Sequence, residues 1–171
     1  DEELGRVLQK ARVRPHFHLS VQSGSDRILF LMNRPYKAIQ IEQAVNRLRQ
    51  IYENPFIACD IIAGFPGETD EDFEILKEYV RQTKFDRLGV FTYSDEEDTV
   101  AYTMDNKIDD EIKDERFNEI MEIQYYVTQE LNQKLIGKTF EVLVDHYDNS
   151  KRAFACRSFR EAPDDVDGYI Y

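Results

Sequence analysis

Four polar residues recur at every second position near the front of the chain: His16, His18, Ser20 and Gln22. Phe17, Leu19 and Val21 fill the places between them. A period of two predicts a strand over 16–22 with one polar and one apolar face. In a barrel or wound sheet with helices outside, the apolar face meets the helices and the polar face looks inward. Enclosed polar groups without partners are costly, and a bound polar ligand is one way to supply partners. Two histidines two positions apart could hold a metal from a strand. No third ligand stands nearby, so His16 and His18 read as hydrogen-bonded residues of an interior wall.

Three further features carry possible chemistry. Asp60 is an acid inside the apolar run Phe56-Ile57-Ala58-Cys59-Asp60-Ile61-Ile62-Ala63. So deep a carboxylate either caps the neighbouring turn or binds a ligand's hydroxyl or amine. Gly64-Phe65-Pro66-Gly67-Glu68 lacks both the lysine of a phosphate-binding loop and the dinucleotide glycine pattern. Arg34 follows a short helix after the Gln22 strand. It is a surface residue or the partner of a ligand carboxylate.

The elements that would position these residues follow from periodicity and punctuation. Residues 1–11 read as the end of a helix. Ser25 can cap a short helix through Met32, which Asn33-Arg34-Pro35 breaks. A helix over 37–53 places Ile41, Val45, Leu48 and Tyr52 on one face. The run 56–63 predicts a strand covered on both faces. Thr69 then caps a helix whose first turn holds Asp70, Glu71 and Asp72, with Phe73, Leu76 and Val80 inward. Leu88 to Tyr93 is a third strand, closed by the acidic loop 94–99.

Strand–helix–strand–helix–strand means parallel strands with right-handed crossovers. Three strands complete neither a barrel nor a wound sheet, so the first part of the sheet is expected outside these residues. A long helix is predicted over 108–135, carrying Ile112, Phe117, Ile120, Val127 and Leu131, with Gly137 as its stop. After it, Phe140, Val142 and Val144 alternate with Glu141, Leu143 and Asp145, the pattern of a strand. Segments 152–157 and 169–171 add two short strands to this all-β piece. The divisions are therefore 1–107, a linker helix 108–135, and 136–171.

The 171 residues carry a net charge of −12, which disfavours nonspecific nucleic-acid or anionic-membrane binding. Apolar residues make up 42%, enough for a true core. Cys59 and Cys156 follow no metal or redox spacing and read as buried thiols in a reducing compartment. The longest apolar run, Ile28 to Met32, is too short to span a bilayer, and the first residues are acidic. A soluble, cytoplasmic monomer is expected.

Taken together, His16 to Ser25, Leu31-Met32-Asn33-Arg34 and Asp60 to Thr69 resemble the methylthiotransferase branch of the radical S-adenosylmethionine (SAM) enzymes. Phe91-Thr92-Tyr93-Ser94 and Gln124, Asn132, Gly137-Lys138 continue the resemblance. Within the branch, Phe85 to Ser94 and Glu161 to Gly168 are most similar to the type that methylthiolates an aspartate side chain of a small-subunit ribosomal protein. The resemblance implies the last three strands and helices of a partial (β/α) barrel, then the start of a small β-barrel TRAM domain. It also implies S-adenosyl-L-methionine and two [4Fe–4S] clusters as cofactors. The cysteines for either cluster are absent from these residues, so the chain alone is expected to be inactive and to hold no metal.

By the same resemblance, Gln22 and Asp60 hold the ribose hydroxyls of SAM and Arg34 its methionine carboxylate. Ile62 and Ala63 flank the adenine, and His18 and Ser20 lie deeper in the lumen. Two rivals remain at this point. A transfer-RNA adenosine methylthiotransferase would be expected to carry a basic RNA-gripping module. Residues 136–171 instead hold five basic and seven acidic side chains, which suits a basic ribosomal protein better than nucleic acid. A non-catalytic α/β module that binds a nucleotide or partner is the second rival. A cluster-binding cysteine triad elsewhere in the gene would remove it.

Overall fold

A computed structural model describes residues 2–11, 13–162 and 168–171. The predicted alternation is present. After α1 (Glu2–Lys10) come β1 (His16–Gln22), α2 (Asp26–Leu31), α3 (Ala38–Ile51), β2 (Phe56–Ala63), α4 (Asp70–Thr83) and β3 (Arg87–Thr92). The three strands are parallel and lie side by side in the order β1-β2-β3. A short 3-10 turn, Ala101–Thr103, precedes α5 (Asp110–Gln133).

β2 shows why the core sits on one side of this sheet. Ile57, Cys59, Ile61 and Ala63 are fully buried, while Asp60 and Ile62 on the opposite face stay half-exposed. The expectation of a strand covered on both faces holds only near its start, where Phe56 and Ala58 are buried. The helix-covered face packs with Phe73, Leu76, Tyr79 and Val80 of α4, Val45 of α3 and Ile120 of α5. Each fully buried Ile or Leu here contributes about 1.5–3 kcal/mol. The inward face of α5 mixes apolar and polar residues. Ile112 is exposed, whereas Arg116 and Gln124 are buried beside Ile120 and Val127.

Both donate to distant partners, while the buried Oε1 of Gln124 has no hydrogen-bond partner among the described residues. Gln124 Nε2 donates to the carbonyl of Phe85 at 2.9 Å. Arg116 donates to Glu68 Oε1 at 2.7 Å and to Asp70 Oδ1 at 2.8 Å. Glu68 Oε1 in turn accepts the backbone N–H of Gly64 at 3.0 Å. Gly64 has φ 75, and a Cβ there would stand 2.4 Å from the Lys113 side chain, so only glycine fits this turn. α5 is thus locked to the turn that ends β2.

The predicted caps are in place. Ser25 Oγ accepts from Ile28 N, and Thr69 forms a reciprocal capping box with Asp72. Asp72 does more than cap. Its buried carboxylate accepts from Ser25 Oγ at 2.7 Å, from Thr69 Oγ1 at 2.6 Å and from the Arg27 guanidinium. Burial pushes this carboxyl up, but the bonds from Arg27, Thr69 and Ser25 outweigh it and hold the group well below the usual range.

The end of the chain departs furthest from expectation. α5 stops at Gln133, and Gly137, with φ 82, closes the turns that follow. β4 (Leu143–Asp148) begins three residues later than the alternation at Phe140 suggested, and pairs antiparallel with β5 (Ala153–Arg157). The third predicted strand is a single bridge between Cys156 and Ile170. Residues 163–167, part of one motif above, lie outside the described residues. The segment before them sits under the start of the parallel sheet. His16 Nδ1 donates to the carbonyl of Phe159 at 2.8 Å, and Arg160 pairs with Asp86 at 2.7 Å over the ring of Phe56. No helix among the described residues is long and apolar enough to cross a membrane.

Replacing Asp72 tests how much its network holds. Asp72→Ala should lower unfolding free energy by about 2–4 kcal/mol in urea titrations near neutral pH, since it strands buried donors and a guanidinium. Because the folded carboxyl is depressed, its contribution is present above roughly pH 4, the ordinary carboxylate value. It is lost as pH falls toward the folded value. The gap between wild type and variant should therefore shrink only in strong acid.

Candidate functional site

The open face of the sheet forms a groove at the C-terminal ends of the strands. It has a volume of about 440 Å³ and is lined by Gln22, Asp60, Ile62, Phe91, Tyr93 and Glu96, among others. The register explains the meeting. Gln22 pairs with Ile61 after a shift in the β1 ladder beyond Leu19, and Asp60 pairs with Gly89 of β3. Gln22 adopts φ 69, a left-handed conformation rare for a residue with a side chain. Such strain costs on the order of 1–3 kcal/mol and gathers at functional sites.

Asp60 is less enclosed than its apolar neighbours suggested. Its side chain is 30% exposed because the face it occupies is not covered by helices. Its Oδ2 lies 2.8 Å from Nε2 of His18. An ionised carboxylate only accepts, so Nε2 carries the proton. The other oxygen, Oδ1, points toward β3, where Gly89 leaves room: a Cβ there would come within 2.6 Å of it. Neither the partnership with His18 nor the clearance at Gly89 was read from the sequence. A glycine inside a strand was the one available signal.

The remaining expected residues fall in different places. Ala63 is fully buried on the helix-covered face of β2 and belongs to the core, so its side chain does not reach the groove beside Ile62. Alternation along a strand puts neighbours on opposite faces, which makes the joint assignment of Ile62 and Ala63 impossible for side chains. Arg34 is exposed on the turn after α2 and does not line the groove. Ser20 is exposed too, and its carbonyl accepts the hydroxyl of Tyr36 at 2.6 Å. His16 is held at the far end of β1 by Phe159.

Tyr93 and the loop after it close one side of the groove. The Tyr93 ring meets Phe65 edge-on at 5.3 Å, and Lys107, which pairs with Asp95, stands 5.4 Å above it. Burial first, and Asp95 next, hold this phenol above its ordinary value. The arrangement offers a carboxylate and an amide on one wall and apolar Ile62 and Phe91 near them. That set can hold a diol beside a flat apolar ring.

Among the described residues no group of three His, Cys, Asp or Glu could hold a metal ion. Cys59 is fully buried in the core, and burial, then the nearby Asp60 charge, pushes its thiol well above its ordinary value. These residues do not fit an iron–sulfur cluster.

Comparison with known proteins places this geometry. The family model described as the radical SAM superfamily matches residues 1–80. The ribosomal protein uS12 methylthiotransferase RimO of Thermosipho africanus is 39% identical over 99% of this chain and 39% of its own length. The proteins of the same name from Clostridioides difficile and Thermotoga petrophila are 43% and 35% identical, over 84% and 100% of this chain. The chain spans about a third to two fifths of the length of these curated relatives. Among solved structures, coproporphyrinogen III oxidase (HemN) of Escherichia coli, a radical SAM enzyme, superposes with a TM-score of 0.58. It does so over 82% of this chain and 30% of its own, at 21% identity, a likeness of fold. With the parallel sheet, the motifs and these relatives in agreement, the chain belongs to the radical SAM superfamily, in the methylthiotransferase family of RimO.

Proposed function

We propose that these residues are the SAM-holding part of a radical SAM enzyme that methylthiolates an aspartate of ribosomal protein uS12. The observation that carries this reading is the groove itself. Gln22 and Asp60, 38 positions apart in sequence, line one cavity beside Ile62, within a chain whose relatives bear that name over nearly its whole length. Asp60 and Gln22 would accept and donate to the two ribose hydroxyls, and Ile62 would lie against the adenine. Arg34 enters as the partner of the methionine carboxylate through the family resemblance alone. When bound, SAM supplies the radical chemistry. The residues described here bind, orient and exclude water.

The cluster cysteines belong to other parts of the enzyme in this reading, so the 171 residues alone would not turn over. A module reading without radical chemistry gains no support from the relatives. The transfer-RNA reading meets the acidic balance of the chain and of the loop Asp95-Glu96-Glu97-Asp98.

Two measurements test the proposal. Expression of the complete gene in a strain lacking its own uS12-modifying enzyme should restore methylthio-aspartate on uS12 and leave transfer RNA unchanged, read by mass spectrometry of both. Restored methylthio-adenosine with unmodified uS12 would transfer the case to the RNA enzyme. In the cluster-loaded enzyme, Asp60→Asn should weaken SAM binding by about three- to thirtyfold in calorimetric titration. The substitution exchanges a charge-assisted hydrogen bond for a neutral one, a difference of ~0.7–2 kcal/mol. Unchanged affinity with reduced thermal stability would make Asp60 a structural acid.

A further inference from the structure

We infer that His18 and Gly89 are positioning residues for Asp60: His18 fixes the carboxylate through one oxygen, and Gly89 keeps the other free for a ligand's hydroxyls. The inference rests on the ribose reading above and adds to it two residues that make no ligand contact of their own.

Three observations converge on it. His18 Nε2 lies 2.8 Å from Asp60 Oδ2, and it is the only hydrogen-bond partner seen for this carboxylate among the described residues. The two side chains come from adjacent strands and are both partly open to solvent, 55% and 30% exposed. A surface pair of this kind adds little to stability, so its consequence is orientation: with Oδ2 held, the carboxylate plane is set. The second observation is Gly89. Its backbone does not require glycine, since the left-handed glycines are Gly64, Gly67, Gly137 and Gly168. Glycine in a strand weakens it and marks a close approach. Here the approach is the Asp60 carboxylate, whose Oδ1 would lie 2.6 Å from a Cβ at this position. Third, Asp60 lines the groove together with Gln22, so the oriented carboxylate faces the space where a ligand would sit.

An oxygen locked by an imidazole and another held clear by a missing Cβ make a preorganised acceptor. A free carboxylate would rotate and lose part of its charge-assisted hydrogen bonding to ordering. His18→Leu removes the lock, His18→Gln retains an N–H at the same reach, and Gly89→Ala fills the clearance.

The test uses the product of the complete gene in solution with adenosine and 2′-deoxyadenosine as probes, titrated by NMR. The nitrogen shifts of His18 give a readout independent of any ligand. In the wild type they should show a single tautomer with the proton on Nε2, and Gly89→Ala should convert this to an averaged state while the circular dichroism spectrum is kept. Wild type should prefer adenosine. That preference should fall about tenfold in His18→Leu and Gly89→Ala and persist in His18→Gln. Adenosine preference lost in Asp60→Asn but kept in both His18→Leu and Gly89→Ala would overturn the positioning roles and leave the ribose reading standing. A wild-type His18 protonated on Nδ1 would overturn them too. Equal or undetectable binding of both nucleosides by wild type would remove the ribose reading, and the inference with it.

Discussion

A single buried carboxylate holds the top of this fold together. Asp72 receives Ser25 from the turn after β1, Arg27 from α2 and Thr69 from the turn after β2. Those are the two turns that end the strands bearing Gln22 and Asp60. Burying a charge is unfavourable unless its lone pairs are filled, and here the filling is supplied by residues that must come together for the groove to exist. The carboxylate therefore couples helix capping, a local matter, to the relative placement of two strand ends. A second buried pair, Arg116 with Glu68, extends this coupling to α5 through the N–H of Gly64. Both devices converge on the stretch 64–72, which links the sheet to its covering helices.

The chemistry of the groove follows from an asymmetry in coverage. Helices α3, α4 and α5 protect one face of the sheet, and that face is uniformly apolar along β2. Among the described residues, Phe159 and Arg160 close the other face near the strand starts. What is left open is the C-terminal half, the usual location of sites in parallel α/β folds. Asp60 stands there without full burial, within hydrogen-bonding distance of a histidine on the neighbouring strand. Gln22 reaches the same opening through a backbone conformation that strand geometry alone would not choose.

The hairpin of β4 and β5 obeys different physics. β4 is exposed along nearly its whole length, and Leu143, Val144 and Tyr147 face solvent. Two antiparallel strands cannot bury a face between them. Among the described residues, Arg160 ties this piece to the sheet, buried against Asp86 and Phe56. Asp86 also accepts the N–H of Ile57 at 3.0 Å, so one acid joins the start of β2, the approach to β3 and the end of the chain.

Local patterns determined much of this protein. The period of two over 16–22, the apolar run 56–63 and the caps at Ser25 and Thr69 gave elements whose bounds agree with the structure, because each depends on residues a few positions apart. The parallel order followed from alternation of strand and helix, and Gln22 and Asp60 stood out as polar residues in strand-like runs. What the sequence left undecided was which distant side chains meet. His18 and Asp60 are 42 residues apart, Arg116 and Glu68 are 48, and Arg160 and Asp86 are 74. Buried arginine on α5 and exposed Ile112 break an apolar stripe there because an ion pair could be satisfied across the core. Asp60 proved open, and Ala63 closed, because coverage of a strand face is set by neighbouring elements. No period along one chain records which face the helices will take.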